Sequence, residues 1–244
     1  MQSFLGDYLG SRKDSVFKLN RALQSFNKQT NKNTELVLIS DNCHLTKKEW
    51  ETNWRDNNRI NFYFLEDNSK KMYQKSEEGV FYRGYPRQVG IEISDGDIIV
   101  YMDSDDFILP DYLDKLSQYW ESNSNLDWIY NNTWFENEKL LNNIPVGYFD
   151  YFEPLQNVEK VLIDGLESFW IESTVKQNTI LMSPALISHR KYCQVEWKDT
   201  FRNKNQSSSE DILFNKQLRE KYKKGGLIKL PGYVRCHLDN YWDF

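Results

Sequence analysis

The chain has 244 residues and 29.2 kDa, enough for one large domain, and its 15 Tyr, 14 Phe and 8 Trp supply burial area that offsets an apolar fraction of 39%. A formal net charge of −5 and a pI near 5.4 give no general attraction to phosphate backbones or anionic lipid, which argues against a nucleic-acid-binding protein. Three widely spaced cysteines, Cys43, Cys193 and Cys236, form no C-x-x-C pair and suit a reducing compartment better than a disulfide framework or a zinc site.

The opening residues, MQSFLGDYLGSRKD, lack the basic start and apolar centre of a secretory signal, and no apolar run reaches the roughly 20 residues that span a bilayer. The expectation is a cytoplasmic protein with no stable membrane insertion, in which the sequons at Asn131 and Asn205 carry no sugar. After a short strand at SFLG, the spacing of Val16, Leu19, Leu23 and Phe26 predicts a helix over 15–28. TELVLIS (34–40) and INFYFLE (60–66) are compact apolar runs of the kind that form parallel strands covered on both faces, the first closed by a turn at Asp41-Asn42. A helix over 87–94 and a strand DIIVYM (97–102) follow.

Strands alternating with helices imply a mostly parallel, Rossmann-like sheet, with ligands bound outside the carboxyl ends of its strands. Asp41 and the run Asp103, Asp105, Asp106 both follow strands, so both belong on that rim. Beyond them, LDWIYNNTWFENEKLL (126–141) reads as two short strands joined by a polar turn, and 146–173 is rich in aromatics without a clear period. From Ser209, SEDILFNKQLREKYKKGG has an N-cap serine, acidic residues in its first turn, basic ones in its last and a terminating Gly-Gly, which predicts a helix.

Three carboxylates at one strand end repel one another unless a cation sits among them, and a hard divalent ion such as Mg2+ or Mn2+ suits oxygen ligands and also binds substrate phosphates. The same run taken alone reads more readily as an acidic turn capping the following helix. The segments around it change the weighing. YMDSDDFILPDYL resembles the D-x-D strand end of the family 2 glycosyltransferases, and RQVGIEISDGD is similar to the family's A-R-N-x-G-I-x-x-A-x-G-D pattern through Arg87, Gly90, Gly96 and Asp97. Upstream, Ser25, Gln29, Glu35 and Asp41 match its S-x-x-x-Q-T and E-I-I-V-V-D-D patterns, and Tyr8 matches the tyrosine that ends the first strand.

The resemblance implies a single GT-A domain, a mostly parallel central sheet flanked by helices with a smaller mixed acceptor-side portion, its nucleotide-sugar half over 1–106 and its acceptor half over 107–244. It implies transfer of one sugar, with inversion, from a nucleoside-diphosphate sugar, UDP favoured, to an acceptor hydroxyl. Asp41 would accept the imide N–H of the base, Arg87 would help fix the nucleotide or brace the rim, Asp103 would face the ribose, Tyr8 and Ser104 would belong to the same nucleotide site, and Asp105 with Asp103 would hold the metal. The family's E-D pair at the start of a late helix matches Glu210-Asp211, with Asp211 as general base, and His237 lies where such enzymes contribute a further metal ligand.

The chain departs from the family pattern at Asn42-Cys43, where a second acid is usual, and at Gln88, where asparagine is usual. The acceptor stays open among glycan, lipid-linked sugar, protein and modified nucleotide, with the aromatic segment 148–170 as the candidate wall. Two alternatives remain. One is an inactive GT-A-fold protein that binds glycan through Trp128, Trp134 and Trp170; the other is a nucleotidyltransferase using LGSRKDS (9–15) as its triphosphate loop.

Overall fold

A computed structural model of the chain describes residues 1–5, 14–69, 84–131, 133–137, 158–163, 166–172, 186–195, 197, 210–228 and 230–235. At 133–137, 158–163, 166–172, 210–212, 227 and 235 the description is of the backbone. The first layer is a parallel sheet in the order β1 (Gln2–Ser3), β2 (Leu36–Ser40), β3 (Ile60–Phe64). All five residues of β2 are buried, as a compact apolar run between two neighbours requires, whereas β3 exposes Tyr63. Helix α1 (Ser15–Asn27) covers this sheet with Leu19, Ala22, Leu23 and Phe26, each worth about 1.5–3 kcal/mol for the larger side chains. Val16, expected on that apolar face, is exposed.

Helix α2 (His44–Asn53) comes directly after β2 and was not legible in the sequence, because its apolar residues show no helical period and Thr46 is the residue it buries. Helix α3 (Tyr85–Ile93) begins two residues earlier than its periodicity suggests, with Pro86 in the first turn, where a missing N–H costs nothing. It leads into β4 (Ile98–Val100), which belongs to a second sheet ordered β11 (Gly225–Ile228), β6 (Trp128–Asn131), β10 (Ile187–Arg190), β4. Helix α4 (Tyr112–Ser122) packs Tyr112, Leu116 and Trp120, four residues apart, into the main core with Ile129, Tyr130 and Phe214.

A third sheet, β5 (Phe107–Ile108), β12 (Tyr233–Arg235), β7 (Thr133–Asn137), β9 (Leu166–Glu172), β8 (Val158–Ile163), starts directly after the acidic run. The two strands expected in 126–141 are present as β6 and β7, but they enter different sheets instead of pairing with each other. The late helix α5 (Glu210–Lys221) is present, while Gly225-Gly226 does not terminate it. Those glycines open β11, where a Cβ on Gly225 would fall on the Trp128 indole. The result is a mixed α/β fold in which Asp41 follows β2 of the first sheet and the acidic run follows β4 of the second. Among the described residues no helix is long and apolar enough to cross a membrane.

Candidate active site

The acidic run is a hydrogen-bonded turn. The Asp106 N–H donates to the Asp103 carbonyl at 3.3 Å, so Ser104 and Asp105 form its corner and stand half-buried at the rim. The third carboxylate has a different fate. Asp106 is 1% exposed, and its Oδ2 accepts the Tyr233 hydroxyl at 2.8 Å, while the same phenol oxygen accepts the Asp103 N–H at 3.2 Å. Burial beside these carboxylates holds the Tyr233 phenol well above its ordinary pKa, so it remains a donor. The run therefore divides into two acids at the rim and one that clamps the turn to β12.

At the end of β2, both Asp41 oxygens accept from Ser69, from its N–H at 2.7 Å and its hydroxyl at 2.6 Å. Each oxygen has a second lone pair, so the carboxylate can still accept from a ligand. Asn42 explains the missing second acid. It sits in the left-handed region at φ 52°, and its Nδ2 donates to the Leu65 and Glu66 carbonyls at 3.1 and 2.5 Å, which a carboxylate cannot do. Glu35, by contrast, lies at the amino end of β2, away from the rim. It accepts the Asp95 and Gly96 N–H groups at 2.5 and 3.2 Å, a structural role in the turn before β4.

Arg87, on α3, pairs with Asp103 Oδ1 at 3.4 Å, and its guanidinium lies 4.9 Å from the Trp197 ring centre. Trp197 in turn stacks on Phe214 of α5, with centroids 4.0 Å apart and planes 6° from parallel. This places α5, whose first two residues are Glu210 and Asp211, behind the rim. Gln88 reaches the same tryptophan, its Oε1 accepting the Trp197 N–H at 3.0 Å, a contact that the shorter asparagine side chain would have to make from farther away. Beneath them Tyr101 donates to His189 Nε2 at 2.9 Å, because His189 Nδ1–H is committed to the Arg190 carbonyl at 2.8 Å. Burial lowers the His189 pKa to about 4, so it is a neutral core histidine.

Asp103 and Asp105 offer hard oxygen ligands on one turn, a donor set that suits Mg2+ or Mn2+ when diphosphate oxygens and water complete the shell. Among the described residues no group of three His, Cys, Asp or Glu converges as a closed metal site. Tyr8 and His237 lie outside the described residues, and so do 9–13 of the proposed triphosphate loop. Trp128 is a core residue, its Nε1–H bonded to the Tyr222 carbonyl at 2.9 Å, and is not available as a glycan platform. The sequence reading missed Tyr233 and Trp197, and no local pattern marks either; both act by contacts with distant segments.

A cleft of about 940 Å3 runs between β1 and β4 and reaches the rim at Arg87 and Met102. Much of its lining, including Glu35, Asp95, Asp97 and Arg190, comes from the amino ends of the strands. The grouped carboxylates and the Arg87 pair lie at the other end, and that end is where α/β sheets bind ligands.

The model of the glycosyl transferase family 2 matches residues 18–169, more than half of the chain. An uncharacterized glycosyltransferase of Methanocaldococcus jannaschii is 26% identical over 120 residues, covering 49% of this chain and 38% of its own. Crystal structures of S. aureus TarS 1-349 share the fold. The complex with UDP has a TM-score of 0.62 at 16% identity, covering 96% of this chain and 58% of that one. The complex with UDP-GlcNAc has a TM-score of 0.62 at 16% identity, covering 96% and 56%. The chain thus spans well under two thirds of the length of these relatives. Its match to the family model, together with the acidic turn, the Arg87 pair and the GT-A-type architecture around them, shows that the chain belongs to glycosyl transferase family 2.

Proposed function

We propose that the chain binds a UDP-sugar at the rim formed by β2, α3 and the turn after β4, and transfers the sugar with inversion to an acceptor hydroxyl. The observation that carries this reading is the continuous contact from Asp103 through Arg87 and Trp197 to Phe214, which ties the donor turn to the helix bearing Glu210-Asp211. The UDP and UDP-GlcNAc complexes of structurally similar TarS support a nucleotide-sugar donor. In this reading residues 1–106 hold the donor and 107–244 the acceptor.

Asp41 accepts the imide N–H of uracil, and Asp103 with Ser104 faces the ribose. Arg87 steadies the Asp103 carboxylate and contributes positive charge near the diphosphate. Asp103 and Asp105 would hold Mn2+ or Mg2+, which when bound neutralises charge on the leaving diphosphate. Strand β12 pairs antiparallel with β5, Tyr233 opposite Ile108 and Val234 opposite Phe107, and so runs toward the turn, which supports His237 as a further ligand. Asp211 lies three positions before Phe214, the spacing of one helical face, and removes the proton of the attacking hydroxyl, with Glu210 beside it. Attack opposite the diphosphate inverts the anomeric carbon.

The third sheet extends from the turn through β12 and β7 to the antiparallel pair β9 and β8, which overlaps 148–170, and we assign acceptor binding to that side. The acceptor itself, whether glycan, lipid-linked sugar, protein or modified nucleotide, has to be found by assay. Release of UDP from a panel of UDP-sugars by wild type and Asp211→Asn tests the reading. Turnover lost by at least about a hundredfold in the variant, with UDP binding intact, is expected. Equal turnover in both proteins contradicts the assignment of Asp211.

A further inference from the structure

Helix α1 and the turn at its carboxyl end present a polar row that has no role in the donor chemistry described above. Arg21, Ser25 and Gln29 are spaced by four residues, so they share one side of the helix. Each bonds to the backbone of the segment that begins with the acidic turn. Arg21 Nη2 donates to the Asp105 carbonyl at 2.8 Å, Ser25 Oγ accepts the Ile108 N–H at 3.2 Å, and Gln29 donates to the Leu109 carbonyl at 2.7 Å and accepts the Leu113 N–H at 3.0 Å. The Arg21 guanidinium also lies 5.0 Å from the Phe107 ring centre and 5.7 Å from that of Phe17, so its plane is held by two rings.

The bond from Arg21 falls on a particular peptide. Its carbonyl, that of Asp105, is fixed by Arg21, and its N–H, that of Asp106, is fixed by the Asp103 carbonyl. A planar peptide held at both poles cannot rotate without breaking one bond or the other. Rotation of that unit would swing the Asp105 carboxylate relative to Asp103. We propose that Arg21 is a positioning residue of the donor turn, which fixes the Asp105 peptide so that the Asp103 and Asp105 carboxylates present one oxygen-ligand set to a divalent cation and its diphosphate. The proposal rests on the donor-site reading above and adds to it a residue that touches neither metal nor nucleotide.

The test is calorimetric titration of UDP, with and without Mn2+, into wild type, Arg21→Met, Arg21→Lys and Ser25→Ala, with the melting temperature of each recorded. Methionine keeps the apolar contact between the two rings and removes the donor. Arg21→Met is expected to bind UDP without metal as wild type does, and to lose the Mn2+-dependent gain by about tenfold or more, the usual effect of removing a partner that orients a ligand. Arg21→Lys is expected to recover part of that gain, and Ser25→Ala to lower the melting temperature without removing it. Should Arg21→Met fail to fold, a reduced Mn2+-dependent gain in Arg21→Lys supports the proposal in its place. A gain within about twofold of wild type in the folded Arg21 variants overturns the proposal while leaving the donor site standing. Wild type that binds no UDP under either condition overturns the donor-site reading and the proposal with it.

Discussion

Replacing Tyr233 by Phe removes one oxygen atom from the inside of the rim while keeping the ring that meets Tyr112 at 6.4 Å. That oxygen is fully buried and serves two partners: it donates to the Asp106 carboxylate and accepts from the Asp103 N–H. A hydrogen bond to a charged group contributes about 1.5–3 kcal/mol, and an orphaned buried group adds its own desolvation cost. We therefore expect Tyr233→Phe to lose about 2–4 kcal/mol of stability. At about 2–4 °C per kcal/mol for a chain of this size, the melting temperature should fall by roughly 5–15 °C. Urea unfolding monitored by tryptophan fluorescence measures the loss, and an unchanged denaturant slope confirms that the native state is otherwise intact. A loss below about 0.5 kcal/mol would show that Asp106 does not depend on this phenol and that the turn is held by other contacts.

Further predictions bear on the core and the brace. Because the folded-state pKa of His189 is lowered to about 4 from 6.5, the unfolded chain binds the extra proton first, so this residue's contribution to stability is complete above pH 6.5 and is lost as pH falls toward 4. His189→Gln should flatten the stability-versus-pH curve between those values relative to wild type, and parallel curves would refute the neutral assignment. Gly225→Ala should destabilise by about 2 kcal/mol or more, because its Cβ falls on the Trp128 indole; a neutral effect in urea unfolding contradicts the close approach. Gln29→Leu removes bonds to the Leu109 carbonyl and Leu113 N–H and should cost about 2–3 kcal/mol by the same measurement. Stability within about 0.5 kcal/mol of wild type would detach Gln29 from that segment.

What the sequence conveyed and what it did not divide along physical lines. The strands β2 and β4 and the acids at their carboxyl ends are local patterns: a run of apolar residues, then a turn, then carboxylates. Such patterns made Asp41, Arg87, Asp103 and Asp105 readable as candidates, and the structure pairs Arg87 with Asp103. The clamp was not, because Arg21 reaches Asp105 across 84 residues and Tyr233 reaches Asp106 across 127. Contacts at that separation leave no periodicity. The same limit made Gly225-Gly226 look like a helix stop, although the need for glycine comes from an indole on a strand far earlier in the chain. Helix α2 was missed because its apolar residues show no helical period; it is held by Thr46, bonded to Ser3, and by Trp50, which stacks on Phe62 of the neighbouring strand.

Asp106 shows how a motif can mislead about number. Three acids within four residues suggested one crowded carboxylate cluster, but a hydrogen-bonded turn sends Asp106, which was not assigned to the metal, into the protein. Asn42 and Gln88 show the converse: departures from the family pattern that have local structural reasons, a left-handed backbone position bonded to the strand beside it and a longer reach to Trp197.

The central claim is that the strand after α3 ends on carboxylates because they hold a metal-bound nucleoside diphosphate. Thermal unfolding with UDP, with and without Mn2+, on wild type and Asp105→Ala tests it most directly, since binding to the native state must raise the melting temperature. The account predicts a rise with UDP that Mn2+ enlarges in wild type, and an enlargement that is lost in Asp105→Ala. A rise of equal size in Asp105→Ala, or none with any nucleoside diphosphate in wild type, would contradict it.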